Sequence, residues 1–191
     1  LTDGLAGSGE KQKKYSYSFS RNPVNHTGTV PDLLQYTALP EETRTWAKAL
    51  LQRTGIGSSD WQETVRQIEQ YVQNSADYDL STPTMDSGYT DFAKWFLEES
   101  DTGYCVHFAT AAAVLLRASG IPARYVEGYM VSCMADEKTA VSNQDAHAWV
   151  EYYDADAEVW RILEATPAET KKRKAREQGM LSLAICIPIL I

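Results

Sequence analysis

The sequence lacks the cysteine and histidine spacings that build disulfide frameworks and metal sites. Its three cysteines are odd in number, lie far apart and form no CxxC pair, so they indicate neither a disulfide scaffold nor a cysteine-ligated metal. The three histidines are also scattered, and their spacing alone predicts no zinc site. We therefore expect no metal and no cofactor. The residues concerned are Cys105, Cys133, Cys186, His26, His107 and His147.

The sequence also has no excess of positive charge. The formal net charge is −8 over 191 residues, which argues against nucleic acid as a partner because phosphate binding needs a basic surface. Hydrophobic residues make up 43% of the chain and charged residues 23%, as in an ordinary globular protein. The length suits one domain with a tail and suffices to bury the core of a stable enzyme.

A long apolar run is also missing. The apolar stretch at residues 180–191 follows a basic run that begins at Lys171, and it is shorter than the roughly 20 residues that span a bilayer. Two interpretations stay open: the first half of a membrane helix, which would tether the domain, or a buried terminal strand. Residues 1–9 lack the basic start and apolar core of a signal peptide, and we expect the chain to be a fragment of a longer protein.

Helix signals come first along the chain and strand signals come later, which predicts an α+β protein. Pro40 is expected as a first helical residue because acidic residues follow it in the first turn. The helix from Cys105 to Ala118 is apolar on nearly all sides, as is usual for a central, buried helix. Gly120 and Pro122 stop it. The other predicted helices cover residues 40–52 and 91–98, with a further helix that begins near residue 59. The predicted strands cover 124–131, 147–153 and 160–164.

Cys105 stands where this central helix begins, after Gly103, a residue that allows close backbone approach. A helix N-terminus lowers the pKa of a cysteine and so favours the nucleophilic thiolate. A lone cysteine is more often a small core residue than a nucleophile. Catalysis therefore requires a histidine and a residue that orients it.

His147 and Glu164 lie on two strands that the polar stretch from Asp154 to Glu158 joins into a hairpin. If the loop is centred between Ala155 and Asp156, His147 lies directly opposite Glu164, with Cβ atoms about 4.5–5.5 Å apart. A carboxylate there would hold one imidazole nitrogen and leave the other for Cys105. A slip of register would move this pairing.

Four blocks of sequence together resemble the bacterial transglutaminase-like superfamily. They occur in the family's order and at its approximate spacing, and they span about residues 100–167. The helical stretch from Pro40 is similar to what often precedes them. The blocks are Gly103–Ala109 (GYCVHFA), Leu116–Tyr129 (LRASGIPARYVEGY), Asp145–Glu151 (DAHAWVE) and Trp160–Pro167 (WRILEATP).

This resemblance implies a papain-like fold in which a central helix, starting at the cysteine, packs on an antiparallel sheet. It implies Cys105 as nucleophile, His147 as general base and acid, and Glu164 as the third catalytic residue. The commonest family pattern has Asp at the position of Glu164, so the longer side chain puts the geometry of this third member in question. Asp145 is a fallback orienter of His147, and His107 is expected to pack rather than to catalyse.

The expected reaction is attack of the Cys105 thiolate on a peptide or glutamine carboxamide bond, with an acyl-thioester intermediate. Hydrolysis is favoured over cross-linking because no second-substrate site is evident, and the partner is a protein or peptide substrate. The alternative is a catalytically silent binding or scaffold module, although such members usually lose the cysteine or the histidine. A deglycosylating amidase of the peptide N-glycanase kind usually carries paired CxxC motifs, which this sequence lacks.

The predicted organisation is an N-terminal arm at residues 1–39, a catalytic domain at 40–170, and the basic run with its apolar tail at 171–191. The resemblance favours an extracytoplasmic domain of a membrane-anchored protein. The basic run argues for the cytoplasmic side, because Lys and Arg accumulate there beside membrane helices. We give the resemblance the greater weight.

Overall fold

The computed structural model describes residues 33–132, 134 and 137–167, and the backbone of 185–186. A short 3-10 helix at Leu33–Thr37 opens this part of the chain. Helices and an antiparallel sheet then share one core, so the predicted α+β class is confirmed. The described α-helices are α1 (Glu41–Thr54), α2 (Trp61–Gln73), α3 (Phe92–Glu99) and α4 (Cys105–Ala118).

The helix boundaries follow from their end residues. Pro40 is the N-cap of α1, with φ −53° and ψ 146°, and not the first helical residue that we predicted. Gly55 ends α1 with φ 70°, a left-handed conformation that glycine adopts without steric cost. Asp60 starts α2 by accepting a hydrogen bond from the Gln62 N–H at 2.9 Å, the usual action of an aspartate N-cap.

Helix α4 has the bounds that the sequence predicts, and it forms the centre of the molecule. Nine of its residues are buried, and it packs against α1, α2, α3 and the sheet. Contact on all of these sides explains why its sequence is apolar nearly all round. The helix therefore fixes the position of its first residue, Cys105, with respect to every other layer.

The main sheet consists of three antiparallel strands in the order β3-β5-β6. Its central strand, β5, packs against α4, and Ala148 and Val150 of β5 are almost completely buried in the shared core. This arrangement matches the expectation of a central helix on an antiparallel sheet. The strands are β3 (Ala123–Tyr129), β5 (Ala146–Asp154) and β6 (Val159–Leu163).

Two short strand pairs flank this sheet. Strand β1 (Asp77–Tyr78) pairs in parallel with β2 (Thr102–Gly103), and neither strand was among those predicted from the sequence. Strand β4 (Val131–Ser132) pairs with the backbone of β7 (Ile185–Cys186). The rest of the predicted tail and most of the predicted N-terminal arm lie outside the described residues. Among the described helices, none combines the length and apolar character that crossing a bilayer requires.

The hairpin of β5 and β6 has a different register from the one we predicted. Asp154 pairs with Val159, so the loop is centred one residue later and position 166, not Glu164, falls opposite His147. The Asp154 carboxylate accepts hydrogen bonds from the Asp156 and Ala157 N–H groups at 3.1 and 3.0 Å. Glu158 then closes the loop at a φ of 54°. The position opposite His147 is thus two residues later than predicted. A shift of two residues leaves each side chain on the same face of the sheet.

The backbone at Gly103 packs closely against neighbouring side chains, as we predicted. A substitution at Gly103 therefore tests how this contact contributes to stability. A Cβ atom there would lie 2.6 Å from Cε2 of Phe96 and 3.1 Å from Cβ of His107, and both of these side chains are buried. We expect Gly103→Ala to lower the free energy of unfolding by about 1–3 kcal/mol, as overpacking usually does. Urea unfolding followed by circular dichroism measures this change.

Gly88→Ala is the matched control. A Cβ at Gly88 would meet only the Asp86 carboxylate, at 3.3 Å, which can move aside. Its free energy of unfolding should stay within about 0.5 kcal/mol of the parent protein. Equal effects of the two substitutions would contradict the packing account of Gly103.

Candidate active site

Cys105 is the first residue of α4, and it lies where the unpaired N–H groups of a helix favour negative charge. Tyr104, just before it, is extended, with φ −123° and ψ 178°, so the chain passes from β2 into the helix across a single residue. The Cys105 thiol is free and partly buried. The predicted position of the cysteine at the helix start is confirmed.

His107 packs inside the molecule, as we expected. It is 3% exposed, and its Nδ1 accepts a hydrogen bond from the Tyr104 N–H at 3.3 Å. Burial lowers its pKa and outweighs an opposing effect of the Tyr104 backbone. The imidazole therefore holds the first turn of α4 together in its neutral form. Aromatic rings surround it, from Phe92, Trp95, Phe96 and Tyr104.

His147 and Glu164 are in direct contact. His147 Nε2 and Glu164 Oε2 are 2.8 Å apart, with side chains that are only 9% and 19% exposed. The expected His147–Glu164 pair is therefore present, although the register that we used to derive it is wrong. Glu164 lies just beyond the end of β6, where its longer side chain can reach His147 diagonally.

Two further hydrogen bonds fix Glu164. Its second carboxylate oxygen, Oε1, accepts from the Thr166 N–H at 3.0 Å. Its backbone carbonyl accepts from Nε2 of Gln73, at the end of α2, at 2.7 Å. Sequence reasoning missed Gln73, because a glutamine 91 residues away gives no local signal of this contact.

The Cys105 thiol is hydrogen-bonded to His147. Burial alone would raise its pKa, but the hydrogen bond with His147, the imidazolium charge and the N–H groups of Ala148 and Val106 together lower the pKa below its usual value. Because Glu164 occupies Nε2, Nδ1 is the imidazole nitrogen left for the sulfur. The Ala148 N–H was not anticipated, since a backbone donor leaves no trace in residue type.

The same contacts raise the pKa of His147. Burial alone would lower its pKa, but the hydrogen bonds with Cys105 and Glu164 and the negative charges of both raise the pKa to about 9. The charged imidazole is thus favoured below about pH 9 and is lost as the pH rises through that value. Both pKa shifts favour the thiolate–imidazolium ion pair over the neutral pair, and the Glu164 carboxylate supports it.

Asp145, the fallback orienter, is engaged elsewhere. Its carboxylate accepts hydrogen bonds from the N–H and the hydroxyl of Ser142, at 2.7 and 3.0 Å. It thereby caps a short 3-10 helix at Asn143–Asp145. Its position two residues before His147 suggested an orienting role, but the carboxylate oxygen Oδ2 binds Ser142 in the local turn.

The chain belongs to the Transglutaminase-like superfamily, whose sequence profile matches residues 48–165. The matched region contains helices α2, α3 and α4, the main sheet, and all three residues of the hydrogen-bonded row Cys105, His147 and Glu164. The resemblance seen in the four sequence blocks is thereby confirmed.

Two relatives of this chain are much longer proteins. The chain is 33% identical over 154 residues to the uncharacterized protein YebA of Bacillus subtilis, a match that covers 74% of this chain and 20% of that protein. It is 40% identical over 87 residues to a protein-glutamine gamma-glutamyltransferase of Pseudomonas aeruginosa, covering 44% of this chain and 13% of that protein. The chain thus spans only a small part of either relative.

A solved structure has the same fold. The periplasmic domain of TgpA from Pseudomonas aeruginosa, bound to ethylmercury, superposes with a TM-score of 0.62 at 30% identity. The superposition covers 73% of this chain and 50% of that one. This similarity supports the papain-like core that the sequence blocks imply.

The ion pair predicts an unusually reactive thiol. Alkylation of Cys105 by iodoacetamide, followed against pH by peptide mass spectrometry, should give an apparent pKa below the free-cysteine value of about 8.5. His147→Ala should raise that apparent pKa above the parent value, because burial would then act without the compensating charge. Cys133 and Cys186 serve as thiol comparators within the same chain.

Glu164→Gln tests the carboxylate in the same titration. It keeps the size of the side chain but removes the charge that helps to raise the pKa of His147, so the apparent pKa of Cys105 should rise less than in His147→Ala. An ordinary pKa for Cys105 that does not respond to either substitution would contradict the ion pair.

Proposed function

We propose that this chain is the catalytic domain of a transglutaminase-like cysteine enzyme that acts on peptide or glutamine carboxamide bonds. The observation that carries the proposal is the hydrogen-bonded row from Cys105 through His147 to Glu164 at the N-terminus of a buried helix. A nucleophile, a base and a residue that orients the base are the parts that acyl transfer to a thiol requires.

The first half of the proposed reaction forms a thioester. The Cys105 thiolate attacks the carbonyl carbon, and the carbonyl electrons move onto oxygen to give a tetrahedral intermediate. His147 then donates its proton to the leaving nitrogen, the carbon–nitrogen bond breaks, and ammonia or an amine departs. The neutral imidazole that remains is held in place by Glu164 through Nε2.

The second half releases the acyl group. Neutral His147 takes a proton from the acceptor, which attacks the thioester carbonyl, and the Cys105 thiolate leaves as the imidazolium re-forms. Water as acceptor gives hydrolysis, and a primary amine gives a cross-link. We favour water, because the described residues present no evident second-substrate site.

Glu164 has an orienting and electrostatic role in this scheme. Its carboxylate selects the ring nitrogen that faces the thiol and stabilises the imidazolium, as the aspartate of other triads does. The hydrogen bonds of Glu164 with Thr166 and Gln73 hold its carboxylate and its backbone in position beside His147.

We also propose that the domain belongs to an extracytoplasmic part of a membrane-anchored protein. The support is the similarity to the periplasmic domain of TgpA, together with relatives that are much longer than this chain. On this view the partner is a protein or peptide substrate outside the cytoplasm.

The proposed activity is tested with the dipeptide benzyloxycarbonyl-glutaminyl-glycine and with casein. Ammonia release reports attack on the carboxamide, new amino groups report peptide cleavage, and added hydroxylamine traps the thioester as a hydroxamate. We expect product formation without any added amine, and a loss of at least about 1000-fold in Cys105→Ala. Turnover should decline above about pH 9, where His147 loses the proton that the leaving group needs.

Cys133→Ser is the matched control, because it changes a cysteine outside the four family blocks and should keep full activity. Absence of ammonia, new amino groups and hydroxamate, together with slow alkylation of Cys105, would contradict the enzyme and leave a binding or scaffold module. Product that depends strictly on added amine would replace hydrolysis by cross-linking.

A further inference from the structure

The proposed function leaves one catalytic requirement without an assigned side chain. A tetrahedral intermediate carries a negatively charged oxygen, and enzymes of this type stabilise it with positioned hydrogen-bond donors. The Cys105 N–H, at the first turn of α4, is one suitable donor because it lies among the unpaired N–H groups of the helix start. A second donor has to lie close to Cys105 and be free to bind substrate.

We propose that the hydroxyl group of Tyr78 is this second donor and that it contacts the substrate carbonyl oxygen in the transition state. This inference rests on the proposed function, since it assigns a further catalytic residue to the same acyl transfer.

The strand pairing brings Tyr78 close to Cys105. Tyr78 pairs with Gly103 across β1 and β2, and the Asp79 N–H donates to the Gly103 carbonyl at 2.8 Å. Because Tyr104 is extended, Gly103 and Cys105 face the same side of the chain. Tyr78 therefore lies beside Gly103, two residues before Cys105, and it is near enough for the negative charge of Cys105 to act on its phenol.

The Tyr78 hydroxyl is available to a ligand. It makes no hydrogen bond with any of the described residues, while its ring packs, partly buried, against the core. Burial and the negative charges of Cys105 and Glu164 raise its pKa to about 12. The phenol therefore keeps its proton over the working range of the thiol and can act as a donor throughout it.

Three other side-chain donors near Cys105 are either engaged or buried. The Tyr125 hydroxyl donates to Glu127 at 2.5 Å, and the His107 imidazole is buried in its aromatic cluster. Trp149 stacks beside His147 with ring centroids 6.3 Å apart, but its Nε1 is fully buried and has no hydrogen-bond partner. Neither His107 nor Trp149 can meet a substrate oxygen without rearrangement.

Tyr104 is the competing phenol, because it directly precedes the nucleophile. Its ring packs edge-on against His107 with centroids 4.4 Å apart, which ties it to the buried aromatic cluster. Tyr104→Phe is therefore the matched control next to Cys105, and Tyr71→Phe is a distant one, since Tyr71 also packs partly buried against the core.

The experiment uses 4-nitrophenyl acetate, whose reaction with a thiol passes through a tetrahedral oxyanion, and iodoacetamide, whose reaction at a saturated carbon does not. In Tyr78→Phe we expect kcat for the ester to fall about 100- to 1000-fold, the range for loss of one oxyanion donor. KM should change little, and the rate and apparent pKa of Cys105 alkylation should stay within about two-fold, because the thiolate itself is intact.

Each outcome decides the inference. Unchanged ester turnover in Tyr78→Phe, or a larger loss in Tyr104→Phe, would overturn the assignment of Tyr78 while the proposed function stands. An equal loss in ester turnover and alkylation would assign Tyr78 to packing or to the thiolate's environment, which also overturns it. A parent protein that alkylates but turns over neither the ester nor the dipeptide and casein would defeat the proposed function, and the inference with it.

Discussion

The candidate site depends on one contact, the packing of the first turn of α4 against the middle strand of the sheet. This contact brings the Cys105 sulfur to the imidazole of His147 and to the N–H of Ala148. Neither group would favour its charged form by burial alone, because removal from water opposes both the thiolate and the imidazolium. Their hydrogen bond, the backbone donors and the Glu164 carboxylate together reverse that preference.

The rest of the fold serves to keep this contact in register. Helix α4 is buried on nearly all sides, so it cannot shift with respect to β5 without disturbing packing against three other helices. Gly103 lets the chain enter the helix against Phe96, and Gln73 and Thr166 hold Glu164 from two directions. Groups held this rigidly need little reorganisation when charge moves between them.

Most of the fold and the site could be predicted from the sequence. The features that could not be predicted depend on contacts that the sequence pattern does not show. The bounds of α4 follow from its apolar pattern and its glycine stop, and the four family blocks identify Cys105, His147 and Glu164. The hairpin register was wrong because Asp154 closes its loop with two side-chain hydrogen bonds, which strand patterns do not encode. Tyr78 was missed because β1 has only two residues, too few to show alternation.

The protonation state of His147 tests the central claim most directly. Nitrogen-15 NMR of the imidazole ring, recorded against pH in the parent protein and in Cys105→Ala, distinguishes imidazolium from neutral imidazole. We predict that both ring nitrogens carry protons at neutral pH, that the transition lies near pH 9, and that removal of the thiolate lowers it. A neutral ring at pH 7, titrating near the free value of about 6.5 in both proteins, would contradict the ion pair.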